Sequence, residues 1–411
     1  YHVSVDGSGK PRAMAVDIIH AKKGYHPPEG EKFWEEIGKH ARDLGLTWGG
    51  DWKSFKDRPH VQVKGGNPNH GSTVSHLKSL GIKSLYDLSE VTYLGFTKVI
   101  INLIKIKKKI NETVSKIIEF KPDILFSVDS PDFTLRIAKK VKKINPNIKT
   151  IHFVSPKIYV WRESRVKKFK TFLDHILLLF PFEKKFFENE KIKCTFTGHP
   201  LLENIKKDKV NLSQFFKKDK KIFSIYPGSR LSEINILTPI LFNFIQLMNE
   251  KYNDLSFIFH STSEFKEHIQ NEINKHGFKN CETVSDEKIK AQLLEKSIFA
   301  VAKSGTISLE ICNSKVPSII IYKMNSINFF IVKLLAKVNF ANIVNIAANE
   351  EIIPELLQSK CNSRNIFETV DRLLNDKENL KDQIDKSQEI IKDFRTNRSS
   401  EIAAAVLTDS F

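Results

Sequence analysis

One short stretch of this chain, FSIYPGSRLSEI from Phe223 to Ile234, constrains the fold most strongly. An apolar run ends at Pro227-Gly228, and an amphipathic helical pattern follows it. A strand, a tight turn and a helix in that order present free backbone N–H groups at a helix N-terminus, which carries partial positive charge. Gly228 lets the backbone approach an anion closely, and Arg230 can bind two oxygens of a phosphate. The stretch therefore predicts a phosphate-binding turn.

A second turn of the same kind lies further along the chain. The apolar run Ile298–Val301 leads into Ser304-Gly305-Thr306, and Glu310 falls one helical turn into the helix predicted next. A carboxylate at that position can hydrogen-bond a ribose. Two such turns in one α/β domain favour a nucleoside diphosphate as ligand. The alternative is that both are ordinary turns of a Rossmann-like sheet.

Size and charge limit the classes of function. A chain of 411 residues that is 41% hydrophobic can bury two or three cores, so at least two domains are expected, and it is long enough for an enzyme. Its 65 Lys and Arg outnumber its 48 Asp and Glu, which favours a nucleic acid, an anionic membrane surface or a phosphorylated substrate as partner. No nucleic-acid-binding module with spaced aromatic residues is present among the basic residues, so no nucleic acid partner is expected.

Cysteine usage and hydropathy indicate a reducing compartment and no membrane span. The cysteines Cys194, Cys281, Cys312 and Cys361 are scattered without CxxC spacing, which is typical of buried thiols rather than of disulfides or a metal site. Neither a signal peptide nor an uninterrupted apolar run of about 18 residues is found.

The first 76 residues differ in composition from the rest. They hold 11 of the 17 glycines, 7 of the 13 histidines and 3 of the 4 tryptophans, whereas the remainder is rich in Lys, Ile, Asn and Phe and carries most of the excess positive charge. The segment from Gly65 to Ser72 is polar and turn-forming. A separate piece 1–64 and a linker 65–76 are therefore predicted.

From Ile82 onward, apolar runs alternate with helical patterns, which indicates parallel sheets covered on both faces by helices. The polar stretch 206–220 divides this alternation, so we expect two Rossmann-like domains, 77–205 and 206–363. C-terminal helices are expected over 364–411. Their apolar face would consist of Ile384, Ile390, Ile391 and Phe394. The predicted strands are Ile124–Val128, Thr150–Val154, Ile176–Phe180, Cys194–Thr197, Lys221–Tyr226, Leu255–His260, Ile298–Ala302 and Ser318–Tyr322, and the predicted helices include Phe133–Ile144, Ile234–Glu250 and Leu309–Asn313.

Motifs from about Leu77 to the C-terminus resemble, in order, those of the lipid-A-disaccharide synthase family. They are KPDILFSVDSPDF from Lys121, HFVSP from His152, WR at Trp161, PFE ending at Glu183, GHP from Gly198, PGSR ending at Arg230, SGT with Glu310, and Asn345 followed by Glu351 and PELLQ. The resemblance implies a GT-B fold, which is an α/β fold of two Rossmann-like domains. It implies metal-independent, inverting transfer of 2,3-diacylglucosamine from UDP to the 6-hydroxyl of 2,3-diacylglucosamine 1-phosphate, in lipid A biosynthesis and without a cofactor.

The same resemblance assigns catalytic residues. An inverting transfer needs a base at the acceptor hydroxyl, and a carboxylate that follows a parallel strand can serve as one. Asp129 is the predicted base and Asp132 the second candidate, with an N-cap of a helix starting at Phe133 as its structural alternative. Departure of UDP places negative charge on the β-phosphate, where Arg230 is expected to act together with the amides of Gly228 and Ser229.

The remaining site residues are also assigned by resemblance. Those expected to bind the uridine diphosphate are Ser304, Gly305, Thr306 and Glu310, with Glu310 on the ribose. Asn345 and Glu351 match a family motif near the donor site, and the alternative for both is a structural role. Arg162 and Arg165 are placed where they could bind an acceptor phosphate, and the alternative is that both are solvated surface residues. For His152 and His199, a hydrogen-bonded structural role is favoured over substrate binding.

Substrates with acyl chains imply that the enzyme meets a membrane. The segment Ile327–Val338 is too short to span a bilayer and carries lysines at helical spacing, so it can lie in the interface; a buried helix is the alternative. The positive charge would then attract anionic lipids. The expected location is the cytoplasm, peripheral on the inner membrane of a bacterium, and the sequence leaves a homodimer open.

The N-terminal piece resembles zinc-dependent peptidoglycan peptidases of the D-alanyl-D-alanine carboxypeptidase and endolysin type. The similar stretches are AVDI around Asp17, FWEEIG, and GLTWGGDWKSFKDRPH ending at His60. In such enzymes two histidines and an aspartate bind zinc, and a carboxylate takes a proton from the bound water. Asp17 and His60 match the ligands and Asp57 the base, while His2 is the candidate for the other histidine, which the family often places where this chain has Lys10.

The synthase family begins with a strand and a helix where this chain has peptidase-like sequence. The first Rossmann-like domain is therefore expected to lack that unit and to be preceded by a small α+β peptidase fragment. Three functions remain open: a membrane-associated glycosyltransferase, a zinc-dependent peptidoglycan peptidase that acts on cell-wall peptides, and a fusion or fragment that binds nucleotides or membranes with neither site complete.

Overall fold

The computed structural model describes residues 2–5, 11–17, 46–48, 60–63, 85, 103–161, 165–203, 210–212, 215, 220–324, 338–396 and 398–410. The chain forms two compact units. The first comprises Tyr1–Phe153, Phe172–Asp174 and Ser400–Phe411, and the second comprises Val154–Thr171 and His175–Ser399. The predicted linker 65–76 and nearly all of the segment 327–338 lie outside the described residues.

Short strands near the N-terminus form an antiparallel sheet. They are β1 (His2–Val5), β2 (Pro11–Asp17), β3 (Leu46–Trp48) and β4 (His60–Val63), arranged in the order β1-β2-β4-β3. In the backbone register, His2 pairs with Ala15 and Asp17 pairs with His60. The sheet therefore joins segments from both ends of the N-terminal piece.

The rest of the first unit is a helix followed by a β-α-β arrangement: α1 (Leu103–Phe120), β5 (Ile124–Val128), α2 (Pro131–Ile144) and β6 (Lys149–Phe153). Strands β5 and β6 pair in parallel. Helices α1 and α2 pack together because each carries an apolar stripe. Their shared core consists of Ile110, Val114, Ile137, Val141 and Ile148.

The second unit starts with short elements around a parallel strand pair. These are α3 (Ile158–Trp161), α4 (Val166–Phe169), β7 (His175–Leu178), α5 (Lys184–Glu188) and β8 (Lys193–Phe196), with 3-10 turns at Pro181–Glu183 and Pro200–Leu202. Strand β7 is buried along its whole length and pairs in parallel with β8.

A parallel six-stranded sheet forms the centre of the second unit. Its strands are β9 (Lys221–Tyr226), β10 (Leu255–His260), β11 (Cys281–Val284), β12 (Ser297–Lys303), β13 (Ser318–Tyr322) and β14 (Glu355–Leu357). The connecting helices are α6 (Leu231–Lys251), α7 (Lys266–Lys275), α8 (Glu287–Glu295), α9 (Ile307–Asn313) and α10 (Ile343–Ala348). The strand order β11-β10-β9-β12-β13-β14 is that of a Rossmann sheet, with the first strand at the point where the connections reverse direction.

Helix α6 is the core helix of this unit. Its 21 residues are long and apolar enough to cross a membrane by length and composition. Its apolar face instead lies in the same buried core as Phe223 of β9 and Phe257 of β10. The buried residues of that face include Ile234, Leu237, Leu241, Phe244 and Ile245. The apolar character of α6 is therefore explained by packing on the sheet.

The chain ends in three helices, α11 (Ser363–Asn375), α12 (Lys377–Asp393) and α13 (Ser399–Thr408). Gln383 of α12 is buried, and its side chain accepts from the N–H of Ser318 at 2.7 Å and donates to the carbonyl of Ser318 at 3.0 Å. Of the predicted apolar face, Ile391 and Phe394 are buried. These contacts fix α12 to the start of β13.

The α/β class and the parallel arrangement are confirmed. The strands β5, β9, β10 and β13 have the predicted bounds, and β6, β7, β8 and β12 differ from them by one or two residues. The sequence analysis missed β11 and β14, which are the two edge strands of the six-stranded sheet. Helix α2 begins at Pro131 rather than at Phe133, because proline is favoured in the first turn of a helix.

Candidate active site

The two predicted turns lie side by side at the carboxyl edge of the six-stranded sheet. Strands β9 and β12 are neighbours, and Tyr226 at the end of β9 pairs with Ala302 near the end of β12. From β9 the chain moves towards one edge of the sheet, and from β12 it moves towards the other. Such a topological switch point is where open α/β sheets bind their ligands.

The turn after β9 requires glycine at position 228. The φ angle of Gly228 is +112°, a conformation that L side chains rarely adopt. A Cβ atom there would lie 2.6 Å from Oε2 of Glu233. The N–H of Ser229 donates to the same Oε2 at 3.3 Å. The turn is therefore tight, and a carboxylate from the following helix lies directly against its backbone.

Glu233 binds two cations that come from different segments. Its Oε1 accepts from Nη1 of Arg230 at 2.8 Å and from Nζ of Lys303 at 3.0 Å. The side chains of Glu233 and Lys303 are only 14% and 16% exposed, whereas that of Arg230 is 46% exposed. Burial alone would raise the pKa of Glu233, but the charges and hydrogen bonds of Lys303 and Arg230 lower it below its ordinary value. The ionised carboxylate thus holds both cations at the switch point.

Lys303 also contacts an aromatic ring. Its Nζ lies 5.1 Å from the ring centroid of Tyr322 at the end of β13, which is a cation–π arrangement. Burial and the charge of Glu233 raise the pKa of Tyr322, so the phenol stays protonated. No role was predicted for Lys303, Glu233 or Tyr322. Two features of the sequence point to the first two: Glu233 follows Arg230 at helical spacing, and Lys303 directly precedes the Ser-Gly-Thr turn.

The second turn, 304–306, lies between the end of β12 and the start of α9, which carries Glu310. Gly305 and Thr306 are exposed, and Glu310 is half-buried in α9. The hydroxyl of Ser304 donates to the carbonyl of Ala341 at 2.8 Å. The nearest atom to a Cβ placed on Gly305 would be a backbone oxygen at 3.9 Å, so contacts within the chain do not demand glycine there.

Asn345 is fully buried and uses its side chain within the protein. Its Nδ2 donates to the carbonyl of Ile353 at 2.7 Å and to Oε1 of Glu355 at 2.9 Å. Its Oδ1 accepts from the N–H groups of Ile352 and Ile353 at 3.0 and 2.9 Å. These bonds favour the structural alternative for Asn345. Glu351 is exposed and accepts from the N–H of Glu355 at 3.1 Å.

Glu355, which the sequence analysis gave no role, anchors the loop that contacts the second turn. Its carboxylate accepts from the N–H of Ala341 at 2.7 Å and from the N–H of Asn342 at 2.8 Å. Burial raises its pKa above the ordinary value. Because Ser304 bonds to the carbonyl of Ala341, the second turn and the Glu355 network hold the same loop residue.

Asp129 lies at the carboxyl end of β5 with an exposed side chain. Asp129 and Ser130 have φ angles of 51° and 50°, a left-handed conformation that costs of order 1–3 kcal/mol for residues other than glycine. The N–H of Asp129 donates to the carbonyl of Phe153 at 2.9 Å, and its own carbonyl accepts from Oγ1 of Thr134 at 2.7 Å. These bonds hold the strained turn that presents the carboxylate.

The structure corrects the expected structural role of Asp132. Helix α2 begins at Pro131, and Ser130 occupies its N-cap position. Asp132 therefore lies within the first helical turn, where a carboxylate interacts favourably with the positive end of the helix dipole. The structural alternative for Asp132, an N-cap, was wrong because it placed the helix start two residues too late, whereas its candidacy as a base stays a prediction.

The candidate histidines are both buried. His199 accepts from the N–H of Leu201 at 3.3 Å, and burial lowers its pKa to about 4. Nδ1 of His152 lies 2.8 Å from the hydroxyl of Ser127. Both placements support the structural role that the sequence favoured. Arg165 is half-buried at the start of α4, and Arg162 lies outside the described residues.

The predicted zinc ligands fall on adjoining strands of the N-terminal sheet. Asp17 pairs with His60, and His2 pairs with Ala15, two residues before Asp17. The backbone register therefore sets the three candidates at neighbouring positions. Asp57 lies outside the described residues. The side chains of these strands lie outside what the structure describes, and among the side chains that it does describe no group of three or more His, Cys, Asp and Glu is arranged to hold a metal ion.

Solved structures similar to this chain share its fold. UDP-GlcNAc 2-epimerase from Neisseria meningitidis bound to UDP-GlcNAc has a TM-score of 0.54 at 16% identity, covering 81% of this chain and 87% of that one. A co-structure of S. aureus MnaA with UDP has a TM-score of 0.52 at 15% identity, covering 79% of this chain and 82% of that one. The fold is therefore GT-B.

Sequence comparison supplies the family. A family model described as D-alanyl-D-alanine carboxypeptidase matches residues 11–63, and one described as lipid-A-disaccharide synthetase matches residues 70–408. Lipid-A-disaccharide synthase of Rickettsia prowazekii is 36% identical over 80% of this chain and 88% of that protein. The same enzyme of Rickettsia canadensis is 33% identical over 88% of this chain and 95% of that protein. With a family match over most of its length, this chain belongs to the lipid-A-disaccharide synthase family of hexosyltransferases.

Proposed function

We propose that this chain transfers 2,3-diacylglucosamine from UDP to the 6-hydroxyl of 2,3-diacylglucosamine 1-phosphate, with inversion at the anomeric carbon. The observation that carries the proposal is the pair of cations, Arg230 and Lys303, beside the tight turn of Gly228 at the switch point. As UDP leaves, negative charge grows on the β-phosphate. Cations and N–H donors fixed at that position stabilise the transition state more than the ground state.

Asp129 is the proposed base. It takes the proton of the 6-hydroxyl as that oxygen attacks the anomeric carbon and the bond from this carbon to the β-phosphate oxygen breaks. Its exposure and the strained turn that presents it support this role, since strained backbone is concentrated at functional sites. Asp132, in the first turn of α2, is the alternative base.

The other assignments follow from the family motifs. We assign the acceptor to 77–205 and the UDP-sugar donor to 206–363, with Glu310 on the ribose and the turn 304–306 on the nucleotide. Arg162 and Arg165 would meet the acceptor phosphate. The net charge of +17 and the segment 327–338 support a peripheral position on the cytoplasmic face of the inner membrane.

Turnover tests the proposal directly. Purified chain incubated with both lipid substrates should release UDP and form the disaccharide, and a chelator should not change the rate. Arg230→Ala should lower kcat/KM by about 10²–10³-fold, the loss typical of one donor to a developing anion. Arg364→Ala, which removes an exposed arginine paired with Glu368, serves as the matched control. Wild-type protein that binds both substrates but forms no disaccharide would contradict the proposal.

The N-terminal sheet supports a second candidate function. The register of Asp17 against His60, together with the peptidase family match over residues 11–63, favours a zinc peptidase site with Asp17 and His60 as ligands. His2, which pairs with Ala15 on the neighbouring strand, would be the third ligand. Asp57 would act as the base. A zinc bound there would activate a water for peptide hydrolysis. Metal analysis should find one zinc per chain in the wild type and none in His60→Ala; equal zinc in both would rule out this site.

A further inference from the structure

We propose that Lys303 is a second diphosphate-binding cation, and that Glu233 is the positioning residue that keeps Lys303 and Arg230 together. The inference deepens the proposed function and rests on it. One carboxylate oxygen, Oε1 of Glu233, accepts from both Arg230 and Lys303.

The side chains of Arg230, Glu233 and Lys303 together carry a net positive charge. Arg230 paired with Glu233 alone would be neutral, and a neutral pair beside a tight turn is a poor site for a group with two or more negative charges. Lys303 makes the cluster of three side chains cationic by one unit. Because Lys303 and Glu233 are mostly removed from water, their charges are screened less than those of exposed residues.

The two cations follow or end neighbouring strands of the sheet. Lys303 is the last residue of β12, and Arg230 follows β9, the strand next to it. The two cations therefore reach the switch point from its two sides. A ligand bound between the turns after β9 and β12 would meet both of them.

Arg230 and Lys303 have more N–H groups than their bonds to Glu233 use. A guanidinium has five N–H groups and an ammonium has three, so one bond each to Glu233 leaves further donors on both cations. The Tyr322 ring and Glu233 restrict the Lys303 ammonium before any ligand arrives. A restricted donor loses less conformational entropy on binding than a flexible surface lysine does.

Ligands that differ only in their phosphates provide the test. Calorimetry should show Lys303→Met binding UDP about 10- to 100-fold more weakly than wild type, as expected for loss of a charge-assisted hydrogen bond. Its affinity for uridine should stay unchanged, because uridine carries no phosphate. Lys303→Arg, which keeps the charge, should restore most of the UDP affinity. The matched control is Lys290→Met, which removes a lysine of equal exposure, 16%, paired with Glu287.

The outcomes separate this inference from the proposed function. If Lys303→Met binds UDP as tightly as wild type, or loses uridine and UDP equally, Lys303 is structural and the inference fails while the proposed function stands. If the wild-type chain binds uridine but gains no affinity from the diphosphate, both fail. Selective loss of UDP affinity in Lys303→Met, with most of it restored in Lys303→Arg, supports the inference.

Discussion

A Cβ atom on Gly228 would lie 2.6 Å from the carboxylate of Glu233, closer than Cβ atoms approach other heavy atoms in proteins. The same carboxylate accepts from the N–H of Ser229 and from Arg230 and Lys303. A side chain at position 228 would therefore disturb the turn and both cations at once.

Gly228→Ala should reduce both stability and UDP affinity. The φ angle of +112° strains any L side chain by about 1–3 kcal/mol, and the displaced Glu233 would misplace Arg230 and Lys303. Gly277→Ala is the control, because Gly277 also has positive φ, +71°, but a Cβ there would meet nothing within 4 Å. Thermal unfolding should report a loss in both variants, and calorimetry a loss of UDP affinity only in Gly228→Ala. Equal UDP affinity in the two variants would contradict this.

Asn345→Leu should destabilise the second unit and leave UDP affinity nearly unchanged. The substitution removes four buried hydrogen bonds; the N–H of Ile353 loses its acceptor, and the N–H of Ile352 keeps only the carbonyl of Glu350 at 3.1 Å, which together cost about 2–4 kcal/mol. Urea unfolding measures the effect, with the exposed Asn235→Leu as control. A loss of nucleotide affinity without a loss of stability would instead assign Asn345 to the donor site.

Glu183 should make stability fall as the pH rises from about 4.5 to about 8. It is buried, its carboxylate accepts from the N–H of Phe180 at 3.1 Å, and burial raises its pKa from 4.5 to about 8. The folded protein therefore retains a proton that the unfolded chain has lost. The stabilisation from this proton is fully present below pH 4.5 and is lost as the pH rises through about 8.

Glu183→Gln tests this, since glutamine keeps an acceptor and does not titrate. Between pH 5 and 8, wild type should lose up to about 1.4 kcal/mol per pH unit relative to the variant. Urea unfolding at several pH values measures the difference, and Glu188→Gln, at an exposed glutamate paired with Lys184, is the control. Parallel stability curves for wild type and Glu183→Gln would show that Glu183 is ionised in the folded protein.

Asp129→Asn should lower kcat by about 10²–10⁴-fold, the contribution of a positioned general base, without weakening UDP binding. Asparagine suits the left-handed conformation of residue 129, so the turn should survive the change. Asp132→Asn is the matched variant. If Asp132→Asn loses the activity and Asp129→Asn keeps it, the base is Asp132.

The central strands were predictable because each is an apolar run bounded by turn residues. Strand β9, for example, is buried from Ile222 to Tyr226 and ends at Pro227. Strands β11 and β14 were missed because they are short edge strands, and β14 includes the charged Glu355, whose burial depends on loop N–H groups elsewhere in the chain. Local pattern carries no information on such partners.

The tight turn after β9 was also predictable, from Pro227-Gly228, but the pairing of Lys303 with Glu233 was not. Those two residues are distant in the chain, and only the strand order places β12 next to β9. The helical spacing of Glu233 from Arg230 was available in the sequence but was not used, whereas the pairing with the second cation depends on tertiary structure.

A crystal structure of the chain with UDP tests the central claim most directly. We expect the β-phosphate within hydrogen-bonding distance of the turn 228–230 and of the side chains of Arg230 and Lys303, with the ribose beside Glu310. A diphosphate bound away from the carboxyl ends of β9 and β12, with Arg230 and Lys303 still held only by Glu233, would contradict it.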